Sequence, residues 1–485
     1  MKHLLNNKYL YFVIFLGLIL HILSVHYSIG FYSDDEHFQI LEITAYLMGI
    51  NEVAINDPTG HYWEWEDGIR MRPWFQPYIY FKIISFLRSF YFDDPFIWAY
   101  FLRIIAATLG FISILYLFFI FKNFFFKKNT KFNYFIYFTF WFYPFLHSRT
   151  SSENLSISLF ILSFCIIIQI INKKEKNFNY LLFSIGSFFM GLSMVVKFTT
   201  VFNAFPFFLW LLINKFNIYR LLIFSFFVLT ALLVGLYIDY INWGSFKNTY
   251  YQFYKHNLSS GEIGRMKYFG IDPWYYYFLE IIKQLAPPLS LFFLIGIIFY
   301  WIKNLNNVFT WVTLIAFLIF SYISHKEIRY IFPLYIFAPF FIAYFLDKFS
   351  IKYITGLIKV LIVLSNIIFL IITIFTPPNS KVGVYKYIFD NLRNEQKIFY
   401  IGENPYLVNN MEPFFYTKFL PKINKLENDL EKDGNKWIIS NDYNSIKNNL
   451  QNKCKISYTT YPKKLIDLNE NWKRLKLNWY IINCR

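Results

Sequence analysis

Three cysteines are all that 485 residues carry, and no metal-ligand spacing exists among them. Cys165 lies in an apolar run and reads as packing, whereas Cys454 and Cys484 lie in the polar C-terminal stretch and could pair if that stretch faces an oxidising compartment. The chain also lacks a nucleotide-binding glycine pattern and any internal repeat. No basic stripe with interleaved aromatics stands outside the apolar segments, so the net charge of +17 does not point to nucleic acid. It fits instead Lys and Arg gathered in short cytoplasmic loops near anionic headgroups. No small-residue cleavage site separates Met1–Lys8 from the long apolar run that follows, so the N-terminus reads as an uncleaved signal anchor.

What the chain does have is apolar length. It is 56% hydrophobic and 24% aromatic, against roughly 45–50% apolar for a soluble domain. Much of the bias to 62 Phe and 40 Tyr beside abundant Lys, Asn and Ile reads as that of an AT-rich genome, so the Phe content is not itself a functional signal. Runs of about twenty apolar residues recur. Candidate spans cover 9–30, 98–121, 132–147, 154–172, 179–196, 200–214, 219–239, 281–302, 308–324, 329–346 and 354–376, eleven in all.

The loops sort by charge. Lys122, Lys127, Lys128 and Lys131 share one loop, Lys173, Lys174 and Lys176 another, and Lys215, Arg220, Lys303, Lys348 and Lys352 mark the rest of that face. The positive-inside bias makes it cytoplasmic, with the N-terminus. Loops 31–97, 148–153, 240–280 and 325–328 then fall outside, with the tail after 376. Loop 31–97 holds eleven acidic and four basic residues, the opposite balance. In it, residues 36–47 predict a short amphipathic helix with Asp35, Gln39 and Glu42 on one face, and 75–92 predict a helix lying in the interface. Loop 240–280 has the Tyr and Trp content of an aromatic belt. After Thr376-Pro377-Pro378, β-type runs at 397–402, 436–440, 454–460 and 478–483 predict a small α/β domain. The domain plan is therefore 1–376 in the membrane and 377–485 outside it.

Four outer elements can carry chemistry. Asp34, Asp35 and Glu36 stand just past the first span. Acidic residues cap a helix N-terminus, but capping needs one, not three followed by His37 and Gln39. Asp35 is the choice for a general base, with Glu36 or His37 orienting an acceptor. His325-Lys326-Glu327-Ile328-Arg329 sets two cations on the face where basic residues should be scarce. They either snorkel and pair with Glu327, or bind phosphate, Arg as a fork and Lys as a point charge. His147-Ser148-Arg149-Thr150-Ser151-Ser152-Glu153-Asn154 and Lys197-Phe198-Thr199-Thr200 each read singly as caps and anchors.

Taken in order, these elements resemble the GT-C glycosyltransferases, specifically the family 22 α-mannosyltransferases that use dolichyl-phosphate mannose, and their bacterial relatives. Ser33-Asp34-Asp35-Glu36-His37-Phe38-Gln39 resembles the family's His-Pro-Asp-Glu-x-x-Gln region, and Tyr62-Trp63-Glu64-Trp65 its Thr-Trp-Glu-Trp/Phe element. Arg149-Thr150 through Asn154 resembles the Arg-Thr…Ser-Asn segment, and Tyr268 through Tyr277 the Tyr-Gly…Pro-Trp-x-Tyr-Tyr loop. His325-Lys326-Glu327-Ile328-Arg329-Tyr330 resembles the His-Lys-Glu-x-Arg-Phe signature, the most specific of the set. Ser33-Asp34 in place of His-Pro, Tyr62 in place of Thr and Lys197 in place of Arg depart from the pattern.

The resemblance implies a mainly α, polytopic GT-C bundle and an inverting transfer of a hexose, mannose first, from a polyprenyl-phosphate donor to a lipid-linked glycan or glycolipid. Asp35 would be the base, with Asp34 and Glu36 beside it. His325, Lys326 and Arg329 would stabilise the departing phosphate. His37, Gln39, Trp63, Glu64, Trp65, Arg149, Tyr268 and Trp274 would hold sugar or acceptor. Neither a metal nor a cofactor is implied, although Asp34, Asp35 and Glu36 could hold a cation. Alternatives are a GT-C enzyme moving another lipid-phosphate sugar, a ligase of lipid-carried oligosaccharide, and a transporter, which would place its charges near the midplane on broken helices.

Overall fold

The computed structural model describes residues 8–51, 62–66, 68–128, 130–172, 178–215, 217–257, 270–285, 287–348, 352–426, 436–450, 454–467 and 469–484. Five helices among them are long and apolar enough to cross a membrane: Lys8–Tyr27, Pro95–Phe125, Ser152–Ile171, Ile218–Trp243 and Tyr353–Phe375. A sixth span results if the pair Ile328–Tyr335 and Ala338–Lys348, bent by 57°, counts as one. The expected eleven are thus not met by length. Each expected segment does coincide with helix, but several are short, such as Tyr180–Val196 and Leu289–Lys303, or interrupted.

The chain divides into two compact units, neither of them a single stretch: 1–24, 63–79 and 103–372, and 25–62, 80–102 and 373–485. In the first, Ser152–Ile171, Tyr180–Val196 and Ile218–Trp243 pack in succession. Small residues set the spacing. A Cβ added at Gly191 would come within 2.6 Å of Ala231 Cβ and of the Val228 carbonyl oxygen. The bend in the late pair has a local cause. Pro333 and Pro339 bring no N–H to the backbone ladder, and the Tyr143 hydroxyl donates to the Ile336 carbonyl at 2.8 Å. A side chain thereby satisfies a backbone group at a break, as an apolar surrounding demands.

In the second unit the tail folds as a five-stranded sheet. The strands are β1 (Ile398–Ile401), β2 (Asn424–Lys425), β3 (Lys436–Ser440), β4 (Cys454–Thr459) and β5 (Tyr480–Cys484). Their order is β2-β1-β3-β5-β4, parallel up to β3 and antiparallel after it. Ile438, Ile446, Tyr480, Ile482 and Cys484 form the core of one face. Cys454 and Cys484 are register partners and form a disulfide. The four expected β runs match within two residues, and the two-residue β2 is the strand that the sequence did not announce.

The same unit holds the acidic segment, and here the amphipathic expectation fails. The helical stretch 34–47 is interrupted by a π turn, His37–Leu41, and residues 36–45 are all buried. One face cannot be assigned to Asp35, Gln39 and Glu42 when the turn between them carries an extra residue. The helix Phe75–Arg88 keeps its expected two-sidedness: Tyr80, Ile84 and Leu87 are buried, Lys82 and Arg88 exposed.

Candidate active site

The candidate residues divide between the two units. In the second, Ser33 precedes the helical stretch with extended backbone, but its hydroxyl makes no capping bond. Glu36, three residues on, accepts the Tyr32 N–H at 2.9 Å. This is the reach-back half of a capping box, shifted by one residue. The structural duty of the cluster therefore falls to Glu36, which is buried. The Asn409 side-chain amide donates to the Asp34 carboxylate, and Asp35 stays partly exposed.

Below them the π turn brings His37 and Glu42 together. Residues five apart in an α-helix point about 140° away from each other. The Glu42 N–H instead bonds to the His37 carbonyl, five residues back, and the extra residue turns Glu42 over His37. His37 Nε2 lies 2.7 Å from Glu42 Oε1, and both side chains are 0% exposed. Asn51 Nδ2 donates to Oε2 at 2.8 Å and the Phe415 N–H to Oε1 at 2.9 Å. The carboxylate thus meets three separate parts of the fold: the imidazole of its own turn, a side-chain amide and a backbone N–H of the tail. The His37 ring is stacked by Phe31 and Tyr416, with centroids at 4.7 and 5.6 Å. So enclosed, the His37 ring has no exposed face. Gln39 is buried beside it in the same turn.

In the first unit the stretch 323–333 forms a loop and two short turns. Lys326 points inward. Its Nζ donates to the Ile323 and Asp272 carbonyls at 2.6 and 2.9 Å, and its backbone N–H donates to the Asp272 carboxylate at 3.2 Å. Burial pushes the Lys326 ammonium down from its usual pKa, and the Asp272 charge partly offsets this. Arg329 Nε donates to Glu327, which also meets His325 Nε2 at 3.3 Å and the Tyr330 hydroxyl at 3.2 Å. Arg329 therefore has the Glu327 partner that the sequence offered as one of its two readings.

Glu153 and Lys197, which the sequence offered within two outer elements but not as site residues, complete this group. Glu153 Oε1 lies 2.8 Å from Lys197 Nζ and 3.6 Å from Arg329 Nη1. All three side chains are less than a tenth exposed. They line a small cavity of mixed character, with Ser156, Thr200 and Asn203 on its polar side and Ile157, Phe320 and Pro333 on its apolar side. Local structure explains the placement. Ser151 caps the helix Ser152–Ile171, which puts Glu153 in its first turn. The helix before Lys197 ends there in extended backbone, and Phe198–Thr200 follows as a 3-10 turn. A charged residue breaking an apolar run was the available signal for Lys197.

The other expected residues are engaged locally. Glu64 takes a two-pronged bond from Arg72 at 2.8 and 2.5 Å. Trp63 opens the turn Trp63–Trp65, and Trp65 packs edge-on against Trp74. Arg149 is buried and donates to the Phe145 carbonyl and the Ser148 hydroxyl. Trp274 is 68% exposed. Tyr268 lies outside the described residues. Among the described residues no group of three His, Cys, Asp or Glu side chains has the arrangement of a metal site.

Comparison with known proteins follows the same lines. The family described as Alg9-like mannosyltransferase matches residues 11–404. GPI alpha-1,2-mannosyltransferase 3 of Bos taurus is 24% identical over 65% of this chain and 55% of its own. GPI mannosyltransferase 3 of Debaryomyces hansenii is 26% identical over 76% of this chain and 65% of its own. The chain thus spans between half and two thirds of the length of these relatives. Among solved structures, ArnT from Cupriavidus metallidurans bound to undecaprenyl phosphate aligns with a TM-score of 0.55 at 9% identity, over 99% of this chain and 98% of that one. The apo form of the same protein gives 0.51 at 9% identity, covering 97% of each chain. At that identity the likeness is one of fold: a multi-pass GT-C membrane architecture.

Proposed function

The chain belongs to the Alg9-like mannosyltransferase family, and on that premise we propose that it is an inverting membrane mannosyltransferase with a polyprenyl-phosphate donor. The family match over residues 11–404 carries the reading. The names of the two GPI mannosyltransferases favour mannose over other hexoses, and the undecaprenyl phosphate held by the ArnT relative in fold favours a lipid-phosphate donor. The acceptor is a lipid-linked glycan or glycolipid. The active side and residues 377–485 are extracytoplasmic, and residues 1–376 form the catalytic membrane part.

In this reading Asp35, which keeps solvent access where Glu36 and Glu42 are buried, takes the proton of the acceptor hydroxyl. The acceptor oxygen bonds to the anomeric carbon while the carbon–oxygen bond to phosphate breaks, through an oxocarbenium-like state. The polyprenyl phosphate leaves with the bonding electrons. Arg329 at the wall of the cavity stabilises that leaving charge, and Lys326 holds the loop that presents it. Incubating the purified chain with several polyprenyl-phosphate sugars, with acceptor glycolipids present, tests the reading. Consumption of the mannose donor, lost in Asp35→Asn by about a thousandfold or more, is the expected result. Turnover of Asp35→Asn near that of the parent removes Asp35 as the base. Indifference to every lipid-phosphate sugar removes the reading itself.

A further inference from the structure

The turn that carries Asp35, Asp34–Glu36, is the first turn of the helical stretch 34–47, which the π turn His37–Leu41 interrupts. The N–H groups of a first turn have no partner within the helix, so contacts from outside decide how firmly such a turn is held. It is gripped at two levels by residues far along the chain. At the base, Glu42 is joined to His37 by the π turn and to the Phe415 N–H across 373 positions of sequence. At the rim, Asn409 donates to Asp34 across 375 positions.

The rim contact has a definite local origin. Val408 and Met411 exchange backbone hydrogen bonds at 2.8 and 2.9 Å, and the two residues between them have positive φ, 48° at Asn409 and 65° at Asn410. That is a two-residue type I′ turn, which Asn and Gly satisfy best. Glycine at 409 would serve the turn equally well. Only a side-chain amide also reaches Asp34.

We propose that Asn409, Glu42 and His37 are positioning residues for Asp35, through which the 405–417 segment of the tail sets the geometry of the base. The proposal rests on the reading of Asp35 as the base. A general base works within hydrogen-bond reach of the proton that it removes, and a misplacement of about 1 Å costs on the order of a hundredfold in rate. Glu42 fixes the floor of the turn, because its carboxylate is shared between the imidazole of the turn and a backbone N–H of the tail. Asn409 fixes its rim. The tail therefore acts on kcat and leaves donor binding alone.

The test uses the full purified chain, with kcat and donor KM measured for mannosyl transfer from polyprenyl-phosphate mannose and unfolding followed in detergent. Asn409→Gly preserves the turn, so its melting midpoint stays at that of the parent. Its kcat falls about three- to tenfold, with donor KM unchanged, and Glu42→Gln falls about ten- to a hundredfold in the same manner. Asn409→Asp, which sets a like charge against Asp34, falls further than Asn409→Gly. Parental kcat in Asn409→Gly overturns the rim contact. Loss in Glu42→Gln that follows only the folded fraction overturns the floor, and if Glu42→Gln does not fold, Asn409→Gly decides. Asp35→Asn is measured alongside. If it is inactive while both other variants turn over normally, the clamp fails and the base stands. If Asp35→Asn is active, the functional reading fails first.

Discussion

Glu42 and Glu153 are both buried carboxylates, yet they are satisfied in opposite ways. Glu42 accepts from an imidazole, a side-chain amide and a backbone N–H. Glu153 meets an ammonium and a guanidinium. Donors fixed to the backbone or to a packed ring leave Glu42 no other partner to exchange for, so it reads as a fastener. The cations around Glu153 sit on long side chains from separate helices, at the wall of a small cavity. One carboxylate is tied to its own turn and to the distant Phe415 backbone, and the other joins side chains of separate helices.

The largest effect that sharpens this contrast is Glu153→Ala. It leaves two buried cations without their shared partner and should lower stability by about 3–5 kcal/mol, read from denaturant unfolding in detergent. A loss under about 1 kcal/mol would show that the cations are already compensated elsewhere. The double change Glu153→Leu with Lys197→Met should recover about 2 kcal/mol of it, since Arg329 keeps Glu327 and the other two charges go together. Glu42→Gln should cost less, about 1–2 kcal/mol, because the amide oxygen still accepts from the Phe415 N–H while the charge assistance and the Asn51 hydrogen bond are lost. A cost above that of Glu153→Ala would break the contrast. Smallest of all is salt. Shortening the screening length from about 10 to about 3 Å, by going from 0.1 to 1 M, should change neither variant's deficit by more than about 0.5 kcal/mol, because both groups are buried.

The sequence made the helical segments and the four main strands legible because apolar length and β-type composition are local properties. The disulfide was legible as a possibility, conditional on the compartment. The basic turn was legible as two readings, and the structure realises the Arg329–Glu327 pair without testing the phosphate role. The π turn was not legible: periodicity at i, i+4 and i+7 assumes the α repeat, and what departs from it here is one extra residue under a contact made by the distant Phe415. Glu153 escaped for a related reason. In its own neighbourhood it looks like a first-turn helix residue, which it is. Its meeting with Lys197 and Arg329 belongs to the packing of separate helices, which no single segment encodes.

The distance along the chain from Glu42 to its backbone donor has a consequence in time. The two are 373 residues apart, and a ribosome adds roughly 5–20 residues per second. Between the emergence of the carboxylate and that of Phe415, roughly 20–75 seconds pass. Throughout that interval the nascent protein has its proposed base on a turn that lacks its two contacts from the tail. Activity should therefore switch on late in synthesis, and ribosome-bound chains stalled before residue 409 should be inserted in the membrane yet silent.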